Sequence, residues 1–271
     1  IPTNNGLLAV RGAEREMLGA AGGLPGRWAR TALVDREGSL WVVGPALYRR
    51  LGGAYVSGYT TDDGLPNDVV WVVHRDPSGR LWAGTWEGAC WFDGKRFVQV
   101  PELRYQVKSI LEDRHGELWF GTVNSNGLMR WDGRRFERLA WSTERPYLEV
   151  WGMLEDRDGA LWLATRRGAV RYDGKQFATF TVADGLAGDD VYSICQDRQG
   201  RIWLATRTGA SRYDGHGFLT VATSPDRKDD AVYSVLEDRH GDIWLATSSG
   251  VSRCSGPRLL TYTAADGLGR G

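Results

Sequence analysis

Six positions share one offset, five residues ahead of an aspartate that opens a turn: Arg30, Trp71, Lys108, Trp151, Tyr192 and Tyr233. Aromatic faces stack on sugar rings, and Arg or Lys holds an anionic group, so this column has the side chains for a ligand-binding mouth. The competing account is structural: large side chains plug a channel, and the cations reach solvent or pair with Asp190 or Asp230. A second set of departures lies in a short turn, where Trp86-Glu87 stands in place of Arg166-Arg167 and Arg207-Thr208 later in the chain. Trp91 likewise replaces a recurring arginine, and the loop 123–126 carries a two-residue insertion. Loops that leave a regular scaffold are where recognition concentrates, so Trp86, Arg166 and Arg207 join the candidates for a ligand or a protein partner.

Catalysis has fewer supports. Three of the four histidines, His115, His216 and His240, fall in turn sequences, and His74 alone sits in an apolar run that reads as an inner strand. A hydrolase or lyase would need a general base beside the mouth, and the column above holds no histidine. Carboxylates gather nearby at Asp68, Glu149, Asp189, Asp190, Asp229 and Asp230, a set that reads as solvated loop charge or, alternatively, as a calcium or acid–base cluster. Zinc spacing, a phosphate-binding Gly-Lys-Ser/Thr loop and a nucleophile elbow are all missing from the sequence. No catalytic residue, metal ligand or cofactor is therefore assigned.

The elements that would position these residues are legible from a period. Trp41, Trp82, Trp119, Trp162, Trp203 and Trp244 follow one another at 41, 37, 43, 41 and 41 residues, each ending the phrase Asp-x-x-Gly-x-(Leu/Ile)-Trp in its best copies. Repeats of this length made of short strands predict an all-β fold, a β-propeller of four-stranded blades. In the stretch 186–226 the strands read as a (190–195), b (201–206), c (210–213) and d (217–221), each β-branched or aromatic and bounded by turn residues. Asp93-Gly94, Asp132-Gly133, Asp173-Gly174 and Asp214-Gly215 suit a type I′ turn between c and d, and Phe97, Phe136, Phe177 and Phe218 follow at a constant offset that points them into the gap between blades. The recurring tryptophans are expected in the same gap. Arg50, Arg130, Arg171, Arg212 and Arg253 predict a ladder of ion pairs running from blade to blade, and the Asp-Arg-x-Gly phrase predicts a turn capped by its own aspartate.

Six repeats can be laid out, approximately 23–63, 64–102, 103–144, 145–185, 186–226 and 227–268, within one propeller domain spanning 1–271. Residues 1–22 read as the outer strands of a further blade whose inner strands are missing. The expectation is therefore a seven-bladed type with one blade incomplete, in a chain that is a piece of a longer polypeptide; a six-bladed ring with a loose N-terminal hairpin is the alternative.

Composition closes off other classes. Lys plus Arg and Asp plus Glu both number 34, so the chain has no net basic field for nucleic acid. No apolar run has the length of a membrane span, which argues against direct membrane insertion. Cys90, Cys195 and Cys254 fall at unrelated repeat positions, against a disulfide framework, with Cys195 expected as a buried, inert thiol.

The composite phrase Val-(Tyr/Trp)-Ser-Ile-x-x-Asp-Arg-x-Gly-x-(Leu/Ile)-Trp-x-(Ala/Gly)-Thr-x-x-Gly-(Ala/Val)-x-Arg-Tyr-Asp-Gly-x-x-Phe, best copied at 150–177 and 191–218, resembles the two-component regulator propeller repeat. That resemblance implies the extracytoplasmic or periplasmic sensor portion of a bacterial signalling receptor, often a hybrid histidine kinase. Propellers there precede a β-sandwich, a membrane helix and cytoplasmic output domains, so downstream β-sandwich and kinase domains of the same polypeptide would be its partners, with a dimer possible. The resemblance fixes fold better than ligand, which stays open between carbohydrate and anion. A protein-interaction scaffold and a lyase or hydrolase resembling streptogramin lyase are the alternatives to the sensor. The repeat's Asp-Gly-Leu loop stands at 63–65, 184–186 and 266–268 and is missing from the other junctions.

Overall fold

The computed structural model describes residues 2–3, 6–11, 14–18, 31–35, 37–44, 46–51, 55–123, 127–139, 149–221, 230–256 and 258–266. The chain divides into two compact units, Ile1–Arg138 and Leu139–Gly271. In the first unit a short sheet is formed by β1 (Pro2–Thr3), β2 (Gly6–Arg11) and β3 (Glu14–Leu18). Three four-stranded blades follow: β4 (Thr31–Val34) to β7 (Tyr55–Tyr59), β8 (Val70–Arg75) to β11 (Phe97–Gln99), and β12 (Val107–Glu112) to β15 (Phe136–Leu139). The second unit holds three more, β16 (Val150–Glu155) to β19 (Phe177–Phe180), β20 (Val191–Gln196) to β23 (Phe218–Val221), and β24 (Val232–Glu237) to β27 (Arg258–Tyr262). In every blade the four strands, called a to d here, pair antiparallel in sequence order. The all-β, four-stranded blade architecture is as the repeat implied. The count among the described residues is six, that of the alternative and not of the seven-bladed reading, because the N-terminal strands form a sheet of three rather than a fourth blade of their unit.

The repeat phrase becomes one local network. The turn aspartate accepts, with one carboxylate oxygen, backbone N–H groups two and four residues on, as Asp156 does from Asp158 and Ala160 at 3.0 and 2.8 Å. Its other oxygen accepts the indole N–H of the tryptophan six residues on. That bond recurs in all six blades, at 2.9 Å for Asp35–Trp41, Asp76–Trp82 and Asp156–Trp162, 2.8 Å for Asp113–Trp119 and Asp238–Trp244, and 2.7 Å for Asp197–Trp203. A buried indole needs an acceptor, and the turn supplies it, which is why the aspartate and tryptophan keep a constant spacing.

The expected filling of the gaps by aromatic side chains is present. Trp41 packs edge-on to Phe92 and Phe97 of the next blade, and Trp82 to Phe120, in the first unit. In the second, Trp162 meets Tyr213, and Phe218 packs on the same cluster. Each buried tryptophan adds roughly 1.5–3 kcal/mol or more of apolar burial.

Four details differ from the sequence reading. Arg49, not Arg50, pairs opposite Trp41, so Arg49 belongs to the arginine column with Arg130, Arg171, Arg212 and Arg253. Among the described residues the ion pairs of these arginines run within a blade and not from blade to blade: Arg49 with Asp35 and Glu37, Arg130 with Glu117 and Glu137, Arg171 with Asp156, and Arg253 with Asp242. The reason is the tryptophan across the strand pair, on which the guanidinium lies: Arg49 is 5.2 Å and Arg253 5.5 Å from the indole centre. The c–d turn has glycine at its first central position, Gly94 with φ 100°, while Asp93 flanks the turn and accepts from Lys95 and Arg96 N–H. That placement suits a II′ hairpin, not the I′ turn with Asp-Gly at its centre. Cys90 is the fully buried thiol, and Cys195 is only partly covered.

Candidate functional site

The offset column has a structural cause. Strands a and b of five blades slip by one residue between 70 and 72, 107 and 109, 150 and 152, 191 and 193, and 232 and 234. The residue left unmatched in each β-bulge is Trp71, Lys108, Trp151, Tyr192 or Tyr233. A bulge takes one side chain out of the alternating ladder and re-aims it. The preceding valine anchors it: Val70, Val107, Val150, Val191 and Val232 are all fully buried.

Opposite each valine stands a threonine that closes the b–c turn. Thr85, Thr122, Thr165, Thr206 and Thr247 donate their hydroxyls to the carbonyls of Gly88, Gly127, Gly168, Gly209 and Gly250 at 2.9, 2.9, 2.7, 2.8 and 3.2 Å. The bond survives in the blade that carries the 123–126 insertion, whose residues 124–126 lie outside the described set. Valine, threonine and glycine thus form a copied frame, and the bulge residue and turn residue are what the frame presents. Trp86, Arg166, Arg207 and Ser248 are the equivalent turn residues.

In the first unit the frame brings Trp71, Trp86 and Lys108 together. Trp86, half exposed at 52%, stacks on Trp71 with centroids 5.9 Å apart. The Lys108 ammonium lies 5.2 Å from the centre of the Trp71 ring. Arg30 lies outside the described residues.

In the second unit three successive bulges line up as a row. Trp151 stacks on Tyr192 at 4.8 Å and 9°, and Tyr192 on Tyr233 at 5.8 Å and 26°. The Arg166 guanidinium closes the Trp151 end at 5.9 Å, while Tyr233 is exposed at the other end. Most ring faces are therefore spent on one another, and the row offers its edges, its hydroxyls and the outer face of Tyr233.

Charge surrounds this row. Asp190 stands between Arg166 at 3.8 Å and Arg207 at 3.7 Å, and Arg166 also reaches Glu149 at 3.6 Å. The Glu149 carboxylate accepts the Trp151 indole N–H at 2.7 Å. These ion pairs are longer than charge-assisted hydrogen bonds, and both arginines are more than half exposed, so an arriving anion competes for them at small cost. Burial, and after it the Asp190 charge, push the Tyr192 hydroxyl up, so it is a neutral donor at neutral pH.

The other carboxylates separate into two kinds. Asp68 accepts from Thr61 N–H and Asp189 from Val182 N–H, both at 2.8 Å, which fixes the d–a loops. In the same loops Thr60 and Thr181 form capping boxes with Asp63 and Asp184, left-handed Gly64 and Gly185 end the turn, and Leu65 and Leu186 are delivered into the core. Asp230 accepts from Ser248 and Ser249, and Asp229 lies outside the described residues. No group of three or more His, Cys, Asp or Glu among the described residues is placed to hold a metal ion. His74 lies 3.6 Å from Glu112, and burial holds its imidazole below the usual range.

Sequence reasoning found the column and the turn but missed the bulge that joins them. A signal was present: the buried valine and the bulge residue after it are adjacent large side chains at the same offset in each repeat, which a regular half-buried strand would not place side by side.

Comparison with known proteins gives a consistent fold. The family described as two component regulator propeller matches residues 64–87, 103–124, 145–167, 185–208 and 226–249. Among solved structures, the extracellular domain of a hybrid two component system from B. thetaiotaomicron is similar at 18% identity and a TM-score of 0.67, covering 98% of this chain and 44% of that one. Virginiamycin B lyase from Staphylococcus aureus, solved in an inactive form with Quinupristin, is similar at 15% identity and 0.66, covering 87% and 84%. PorZ, a surface component of the type-IX secretion system of Porphyromonas gingivalis, gives 15% and 0.66, covering 88% and 42%. At these identities the likeness is one of fold, and the chain spans less than half the length of the first and third. No curated protein matches this sequence.

Proposed function

We propose that this chain, which belongs to the two-component regulator propeller family, is the extracytoplasmic ligand-sensing portion of a bacterial signalling receptor. The observation that carries this reading is the division of labour at the bulges. An identical Val–Thr–Gly frame presents a bulge side chain in each of five blades and, in four of them, a turn side chain beside it, and within each unit several of these meet in one patch. In the first unit the patch offers the open face of Trp86, which suits a sugar ring. In the second, Arg166, Arg207 and the hydroxyl edges of Tyr192 and Tyr233 suit an anionic or sugar-acid ligand.

Binding without turnover is the expected activity. The one histidine on a first strand among the described residues, His74, stands three residues along from Trp71, so neither patch holds an imidazole base, and the carboxylates of the second patch are taken up, Asp190 by Arg166 and Arg207 and Glu149 by Arg166 and the Trp151 indole N–H. A ligand at either patch transmits a signal only through its differential affinity for two arrangements of the propeller and the domains that would follow it.

Thermal shift of the purified chain against oligosaccharides, sugar acids and nucleotides tests the proposal. A rise in midpoint that is lost in Tyr192→Ala or in Lys108→Ala supports a sensor and says which unit responds. No shift with any compound favours the protein-interaction scaffold instead.

A further inference from the structure

At the opposite end of the second blade the repeat is broken once more. Where the other blades carry an arginine across from the buried tryptophan, this blade carries Trp91, paired with Trp82. The cation comes from Arg80, which lies 4.4 Å from the centre of the Trp91 ring and 5.8 Å from that of Trp82. The equivalent arginine of the fifth blade, Arg201, is bonded to its turn aspartate Asp197 at 2.6 Å. Arg80 has no such partner within 4 Å among the described residues.

Trp91 and Arg80 line a cleft of about 530 Å3 between the first and second blades, inside the first unit. The carboxylates of its other wall have partners of their own. Arg49 pairs with both Asp35 and Glu37, at 3.4 and 2.6 Å, one cation shared by two carboxylates. Asp93, at the rim, accepts two backbone N–H groups and faces Arg96 at 3.9 Å. Arg75 crosses the junction and donates to the Val34 carbonyl at 3.0 Å, which fixes its guanidinium in the cleft with other N–H groups to spare. The carboxylates thus each have a partner, while neither Arg75 nor Arg80 has a carboxylate within 4 Å among the described residues, Arg80 feeling the Asp76 charge only from further off.

We propose that this cleft is a second binding site, separate from the bulge patches, for a small anion carrying a flat unsaturated ring: the ring lies along Trp91 and the carboxylate bridges Arg80 and Arg75. The chemistry is specific on three counts. A guanidinium already held over an indole, as Arg80 is at 4.4 Å from the Trp91 centre, loses little freedom when it pairs with a carboxylate. The two cations come from different positions of one blade, Arg75 ending its first strand and Arg80 preceding its second, so they flank a carboxylate instead of adding up to a diffuse basic patch. The cleft volume lies in the range of small-molecule sites and exceeds that of a single aromatic acid. Trp71 and Arg75 are four residues apart on one strand, roughly 13 Å, so the site is not an extension of the Trp71–Trp86 patch.

Titration calorimetry of the full chain with benzoate and indole-3-acetate tests the proposal, with benzyl alcohol lacking the charge and acetate lacking the ring. The expected result is binding of the aromatic carboxylates alone, weakened about tenfold or more in Arg80→Gln, as loss of a charge-assisted contact implies. Trp91→Arg, which restores the repeat's own residue and so keeps the fold, is expected to abolish binding, and Trp91→Phe to retain most of it. Retention in Tyr192→Ala separates this site from the sensor patch of the second unit. Absence of binding by both acids, equal binding of benzyl alcohol or acetate, or unchanged affinity in Trp91→Arg overturns the proposal.

Discussion

Each blade has two ends, and they treat sequence differently. At the a–b turn, six blades make the same bond from a turn aspartate to a buried indole, with spacing and geometry copied. At the start of strand a, the bulge is copied in five blades while its side chain is tryptophan twice, tyrosine twice and lysine once. The difference follows from packing. The indole fills the gap to a neighbour and donates to a carboxylate, so its identity is fixed by two constraints at once. The bulge residue is out of the ladder, so its identity is constrained by neither pairing nor core volume.

The strongest way to break that contrast is to remove one indole. Trp203→Ala empties a buried site beside Val232 and Ile243 and leaves the Asp197 carboxylate without its indole donor. A loss of about 3–5 kcal/mol is expected, read as a large fall in the urea midpoint or in Tm. If Tyr192→Ala costs as much, the two ends do not differ in the way described.

Next in size is the frame that holds the bulge and turn. Gly168 follows Arg166-Arg167 with φ 104°, and a Cβ there would collide with the Phe180 carbonyl. Gly168→Ala is expected to cost about 1–3 kcal/mol, combining backbone strain with displacement of strand d. The same substitution at Gly174, whose Cβ would meet nothing within 4 Å, bears the strain of positive φ alone and should cost less. Urea melts of the two variants measure the difference directly.

How much of this was legible in the sequence follows from the same contrast. Strands, their order and the blade period were legible because Trp, Asp and Gly recur where geometry admits little else. The arginine column was misplaced by one residue in the first blade because Arg49 and Arg50 are adjacent, and only the register with Trp41 distinguishes them. Its ion pairs were assigned between blades because a repeat shows that a pair exists and not which copy supplies the partner. The column Trp71, Lys108, Trp151, Tyr192 and Tyr233 was legible as an offset, but its mutual stacking was not: a period cannot show that Trp151 and Tyr192 spend their faces on each other. The blade count went to the alternative because strand-like sequence in residues 6–18 does not reveal whether two more strands complete its sheet.

A smaller effect sharpens the account of the turns. Asp238 is held down to about 2 from the ordinary 3.8, chiefly by the Trp244 indole N–H and then by the backbone N–H groups of its own turn. Asp35, Asp76 and Asp197 are lowered too, with burial opposing and the indole and turn donors together outweighing it. A folded-state pKa below the unfolded one means stability that is present above pH 4 and lost as pH falls through the folded values. Acid titration of the chain should therefore show stability declining between about pH 4 and pH 2. Asp238→Asn should flatten that decline in proportion to the one carboxylate removed, and a decline that begins near pH 6 would point to other groups.

The smallest expected effect on stability is also the most informative about function. Tyr192→Ala removes a ring stacked between Trp151 and Tyr233 on a partly exposed surface, at a cost expected near 1 kcal/mol. Its loss should free the facing sides of Trp151 and Tyr233 and leave Arg166 and Arg207 still paired with Asp190. A ligand held mainly by the arginines would then bind Tyr192→Ala nearly as well as the parent, while one held by the hydroxyl edge would be lost. The complementary variant Arg207→Ala reverses those outcomes. Measured side by side by thermal shift, the two variants divide an anion from a neutral sugar without knowledge of the natural ligand, and a pair of variants with no effect on any shift would remove the second unit from the sensor altogether.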